Sequence, residues 1–128
     1  MLNDKDPIAT VAVKDLEAAR KFYEGKLGLK VKSAEGAEAI TFQSGRSELI
    51  VYRSQYAGTN KATAINWRVG DAIDKEVAAL REKGVTFERY DMPGVKLQGD
   101  VHVFGDNDKM KSAWFKDPDG NIIALMSF

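Results

Sequence analysis

The sequence predicts an α/β (α+β) domain made of two tandem βαβββ modules. Three observations carry that expectation. The hydrophobic period switches from about 2 to about 3.6 and back at equivalent places in the two halves. Short motifs recur between the halves at a fixed offset. The length, 128 residues, suits one domain of roughly 100–150 residues. The modules span about 8–54 and 63–127, with no linker between them.

The first module opens with a β-branched apolar run over 8–13, read as a strand. Asp15 then caps a helix, in which Leu16, Ala19, Phe22 and Tyr23 recur at helical spacing. Gly25 and Gly28 close or follow it. Strands are expected over 29–33, 37–44 and 47–54, with Gly36 and Gly45 at the turns. The second module repeats the order. A strand covers 63–69, Asp71 caps a helix carrying Ile73, Val77 and Leu80, and Lys83-Gly84 stops it. Residues 85–90, 111–116 and 121–127 supply three more strands.

Val13-Lys14-Asp15 and Val69-Gly70-Asp71 stand 56 positions apart, as do Gly28-Leu29-Lys30-Val31 and Gly84-Val85-Thr86-Phe87. Farther on, Phe42 matches Phe115 and Leu49-Ile50 matches Ile122-Ile123, 73 positions apart. The second copy therefore carries an insertion of 17 residues, placed within 91–109. That segment reads as a long loop with a short strand over 101–104, a length typical of functional lids or solvent loops.

Composition excludes several classes. Apolar residues make up 44% and charged residues 30%, unlike a disordered or collagen-like chain. Nineteen basic residues balance nineteen acidic ones, which argues against nucleic acid as a partner. Without cysteine there is no disulfide, thiolate nucleophile or zinc–thiolate site. No apolar run reaches the ~18–20 residues of a membrane span, and the N-terminal stretch has no apolar signal region. The expected location is the cytoplasm, with no membrane partner. No serine stands in a Gly-x-Ser-x-Gly elbow, the glycines lack a phosphate-loop context, and no catalytic constellation emerges.

The stretch from Val11 to Gly28, Val-Ala-Val-Lys-Asp-Leu-Glu-Ala-Ala-Arg-Lys-Phe-Tyr-Glu-Gly-Lys-Leu-Gly, resembles the opening module of the vicinal oxygen chelate superfamily. The closing Ala-Trp-Phe-Lys-Asp-Pro-Asp-Gly-Asn, 113–121, does so too. This superfamily holds glyoxalase I, extradiol dioxygenases and bleomycin-resistance-type binding proteins, and the resemblance covers about 8–126. It implies curled mixed sheets around a concave cavity. In the metalloenzymes of the superfamily that cavity holds a divalent ion on His or Glu from four strand positions. The resemblance places these at Ile8, Val51, Ala64 and Ala124, all apolar and without a lone pair for a cation. Neither a metal nor another cofactor is expected.

Strand alternation from those positions groups Ile8, Thr10 and Ala12 with Leu49, Val51 and Arg53 on the cavity face. It adds Ala64, Asn66 and Arg68, then Ile122, Ala124 and Met126, with Phe42 opposite Leu49 and Phe115 opposite Ile122. The opposite parity, Val11, Val13, Ile50, Ile65, Trp67, Val69, Ile123 and Leu125, is assigned to the helices. The candidate ligand-binding set is Thr10, Phe42, Leu49, Arg53, Asn66, Arg68, His102, Phe104, Phe115 and Met126, with His102 and Phe104 closing over from the 91–109 loop. Trp114 stays open between core and cavity.

Apolar and aromatic walls with a few orienting polar groups suit a small-molecule pocket. The expected function is a metal-free binding protein, of the sequestering or drug-resistance kind, for a small aromatic or amphipathic molecule. The alternatives are a glyoxalase- or dioxygenase-like enzyme with a divergent or absent metal site, and a fold kept only as an assembly surface. Sheet edges and the habit of the resembled family point to a homodimer.

Overall fold

The computed structural model describes residues 1–36 and 38–127. The chain folds as two compact units, Met1–Thr59 and Asn60–Phe128. Among the described residues, each holds one α-helix and one mixed, open sheet.

In the first unit, β1 (Ala9–Val13) leads to α1 (Leu16–Arg20). Asp15 caps that helix as expected, its Oδ1 accepting from the backbone N–H of Glu17 at 2.9 Å and of Ala18 at 3.4 Å. The helix widens into a π-helical turn over Lys21–Lys26 and ends at Gly28, whose φ of +77° favours glycine. Then come β2 (Lys30–Glu35), β3 (Ala39–Ser44) and β4 (Ser47–Arg53). Of the strand expected over 37–44, Ala37 lies outside the described residues. The sheet order is β1-β4-β3-β2, with β1 parallel to β4 and the other pairs antiparallel. Ala19, Phe22 and Tyr23 are buried beneath the helix, and the Tyr23 ring lies 5.9 Å from that of Phe42.

The second unit repeats the plan with β5 (Thr63–Arg68), α2 (Ile73–Glu82), β6 (Phe87–Glu88), β7 (Lys96–Gln98), β8 (Val101–Phe104), β9 (Met110–Lys116) and β10 (Ile122–Ser127). The order is β5-β10-β9-β8-β7, and β6 also pairs with β9. Ile73 and Val77 bury the inner face of α2, which packs on β9 and β10.

Two expectations are corrected here. Asp71 does not cap α2: a 3-10 turn over Gly70–Ala72 precedes the helix, Ala72 occupies the capping position, and no side chain bonds the first N–H groups. The far end matches the expectation. Val85 N–H donates to Leu80 C=O and Gly84 N–H to Arg81 C=O, the paired bonds of a Schellman stop. The second correction concerns 91–109. The strand expected over 101–104 is present as β8, but in place of a loop around it β7 and β8 form a hairpin laid along β9 as further strands of the sheet. Backbone pairing with a strand already in place satisfies N–H and C=O groups that a free loop would leave to water.

Candidate functional site

Register decides which side chains share a face, because residues directly paired across a ladder point the same way. In the first unit, Val11 pairs with Val51, Val51 with Ile40, and Leu49 with Phe42. Val11, Val13, Ile40, Phe42, Leu49 and Val51 are all buried, on the helix side of the sheet. Leu49, Val51 and Phe42 therefore do not share a face with Thr10, as had been expected. The partner of Thr10 is Ile50.

Arg53 pairs with Val13 and has the parity of the core. Its guanidinium meets Glu38 at 3.5 Å, at the rim of a groove of about 520 Å³ lined also by Lys14, Asp15, Glu17 and Arg20. Charges of both signs line that groove, so it offers no single-sign field to select a charged ligand. Thr10 is exposed, with its hydroxyl donating to Ile8 C=O at 3.2 Å.

The cause of the parity error lies in the closing turns. Ser44 pairs with Ser47 across two intervening residues. In the second unit Asp117 N–H donates to Asn121 C=O across three. Asp117 builds that longer turn, its Oδ1 accepting from the N–H groups of Asp119 and Asn121 at 2.9 Å and its Oδ2 from Asn121 Nδ2 at 2.7 Å. The extra residue shifts the register, so Phe115 faces Ile123 and Lys116 faces Ile122. Phe115 is accordingly in the core, fully buried against Phe87, and has no face open to a ligand. By the same register, Ala124 corresponds in the first unit to Ile50 and not to Val51.

The four positions at which the resemblance implies a metal ligand are therefore Ile8, Ile50, Ala64 and Ala124. They remain alkyl side chains, so the residues present do not fit a divalent ion. Among the described residues, no group of three His, Cys, Asp or Glu side chains is placed to hold one.

The outer face of the second sheet carries the remaining candidates in two rows. One row runs Asn66, Ala124, Trp114 and Glu88 across β5, β10, β9 and β6. The next runs Arg68, Met126, Ser112, His102 and Leu97 across β5, β10, β9, β8 and β7. Phe104, paired with Met110, follows on the same parity. Trp114 is thus on the outer face, half-buried, with its indole N–H donating to Thr63 Oγ1 at 3.3 Å. Asn66 Nδ2 lies on Met126 Sδ.

His102 is not a surface loop residue. It is fully buried, set between Tyr90 and Trp114 with ring centroids 5.8 and 4.8 Å away. Its Nε2 accepts from Tyr90 N–H at 2.9 Å. Its Nδ1 and the Oγ of Ser112, equally buried, have no hydrogen-bond partner among the described residues. Each orphan costs on the order of 1–3 kcal/mol if left unmet. Tyr90 and Ser112 are not among the candidates the sequence offers, and Trp114, open there between core and cavity, lies on the face away from the helix. The available signal was the five-residue Asp-Pro-Asp-Gly-Asn turn, whose length sets the parity of β9.

The β8 strand that carries His102 is tied down by Asp100. That carboxylate accepts from Arg81 Nε at 2.8 Å and Arg89 Nε at 2.9 Å. Burial alone would raise the pKa of Asp100. The hydrogen bonds from Arg89 and Arg81, with their positive charges, outweigh it and hold the carboxyl below its usual range.

Comparison with known proteins adds to this geometry. A sequence search of curated proteins gives no match. A glyoxalase family protein from Enterococcus faecalis superposes with a TM-score of 0.74 at 20% identity, covering 99% of this chain and 100% of that one. A lactoylglutathione lyase from Agrobacterium tumefaciens gives 0.73 at 16% identity, covering 97% and 93%. A fosfomycin resistance protein from Mesorhizobium loti gives 0.69 at 15%, covering 100% and 94%. Identity this low establishes a shared fold and carries no ligand with it. The sequence profile of one family matches residues 6–125. The chain belongs to the Glyoxalase/Bleomycin resistance protein/Dioxygenase superfamily, within the vicinal oxygen chelate fold.

Proposed function

We propose that this protein binds a small, neutral or weakly anionic, partly aromatic molecule without a metal ion, on the outer face of its second sheet. The observation that carries the reading is the pairing of Asn66 with Ala124 and of Ala124 with Trp114. It puts a methyl group where the superfamily's metalloenzymes need a ligand, between an amide and an aromatic ring. Trp114 and Phe104 supply half-buried aromatic surface, while Asn66 and Arg68 supply polar groups that orient a substituent. From β5 to β8 is three strand spacings, roughly 14 Å, room for a molecule of two rings. The formal net charge of zero gives no long-range pull toward a strongly cationic drug.

A fosfomycin resistance protein shares the fold, and the implied ligand positions here are alkyl, so defence against a small toxic compound by sequestration is the role we favour over metal-dependent turnover. The working form is a homodimer in the cytoplasm. Both sheets end in open edge strands, β1 and β2 in one, β5 and β7 in the other, and such edges are normally paired or covered.

Thermal melting of EDTA-treated protein across a panel of one- and two-ring aromatics tests the binding. A ligand that binds only the native state must raise the melting temperature. Stabilisation by at least one compound, reduced in Trp114→Ala and Arg68→Ala, is expected. No stabilisation by any compound, or stabilisation only after zinc, nickel or iron is added, refutes the reading.

A further inference from the structure

We infer that His102 and Ser112 form a two-donor recess that takes one neutral acceptor oxygen, the carbonyl or amide oxygen of an aryl ligand. The inference rests on the binding reading above and names the polar group the site selects.

It begins with the tautomer of His102. Its Nε2 accepts a hydrogen bond from Tyr90 N–H at 2.9 Å and therefore carries a lone pair, so in the neutral ring the hydrogen sits on Nδ1. That Nδ1–H has no partner, and neither has the hydroxyl of Ser112, although both side chains are fully buried. The two residues are directly opposite in the β8–β9 register, where facing β-carbons stand roughly 4.5–5.5 Å apart. No hydrogen bond joins them. Two unmet groups thus stand side by side in one ladder pair, and a single oxygen with two lone pairs placed between them satisfies both.

The surroundings narrow the class. The next residue in the row is Met126, and the ring beside His102 is Trp114, which stands edge-on to it at 81°. An ammonium group could donate to Ser112 Oγ but would leave the Nδ1–H of His102 unmet. A carboxylate would place a charge among Tyr90, Trp114, Met126 and Leu97, with the cation of the row, Arg68, on the far side of Met126, and burial penalises a charge so placed. A carbonyl or amide oxygen adds an acceptor without a charge, and its aryl ring meets Trp114 on the open side. A water molecule is the competing occupant.

His102 is the one histidine in the chain, so its imidazole ¹⁵N and ¹H resonances need no assignment. Metal-free protein is titrated with benzamide and, separately, with toluene, which has the ring without the acceptor. Benzamide is expected to shift the His102 Nδ1–H resonance saturably, toluene is not, and Ser112→Ala is expected to weaken benzamide at least tenfold. Equal shifts from both probes, no shift at all, or unchanged benzamide affinity in Ser112→Ala overturns the inference and leaves the recess to water. If the aromatic panel stabilises the protein through Trp114 while Ser112→Ala changes nothing, the binding reading stands and this inference alone falls.

Discussion

Phe87 and Phe115 face each other across the β6–β9 ladder, their rings meeting at 68° with centroids 5.5 Å apart. The pair ties the short β6 strand to the sheet on its helix side. Phe115→Ala should cost about 3–5 kcal/mol of folding stability, measured by urea denaturation. If the variant kept wild-type stability and lost only ligand binding, Phe115 would belong to the site and this packing account would be wrong.

Asp15 and Asp71 occupy equivalent places in the two modules, yet only Asp15 bonds the N–H groups of its helix. Asp15→Ala should destabilise by about 1 kcal/mol, whereas Asp71→Ala should stay within about 0.5 kcal/mol. Denaturant midpoints of the two variants give the comparison directly. Equal losses would show that Asp71 caps α2 in solution.

That contrast shows what the sequence could and could not convey. The strand and helix order was legible because the apolar period and the glycines at 28 and 84 report local backbone geometry. The face assignment of β4 and β9 was not, because it hangs on turn length. One residue more in the 117–121 turn than after Ser44 inverts the alternation, and a motif match averages over such a step. Thr10, Asn66, Arg68 and Met126 were placed with the right parity, since β1, β5 and β10 were anchored correctly. The strand carrying His102 is legible, but its burial is not, because nothing local marks β7–β8 as paired and its pairing partner β9 lies beyond the hairpin. Ser112 is legible only once that ladder is known.

The Asp100 carboxylate, held below its usual range by Arg89 and Arg81, links stability to pH. A depressed carboxylate contributes stability that is present above its unfolded-state value and is lost as pH falls through the folded one. Asp100→Asn should therefore cost about 1–3 kcal/mol at neutral pH, toward the low end because both arginines are more than half exposed. Its stability should also fall less steeply than the wild type's between neutral and acidic pH. Melting curves at pH 7 and in the acidic range test this; parallel pH profiles for the two proteins would contradict it.

The oligomeric state follows from light scattering at micromolar concentration. A mass near twice the 14.1 kDa chain is expected, and a monomer's mass would remove the dimer from the account.

The central claim is binding without a metal, and native mass spectrometry of protein purified without chelator tests it most directly. The account predicts a chain mass, alone or with an organic adduct, that carries no stoichiometric zinc, nickel or iron and is unchanged by EDTA. A stoichiometric metal whose removal abolishes ligand binding or activity would contradict it.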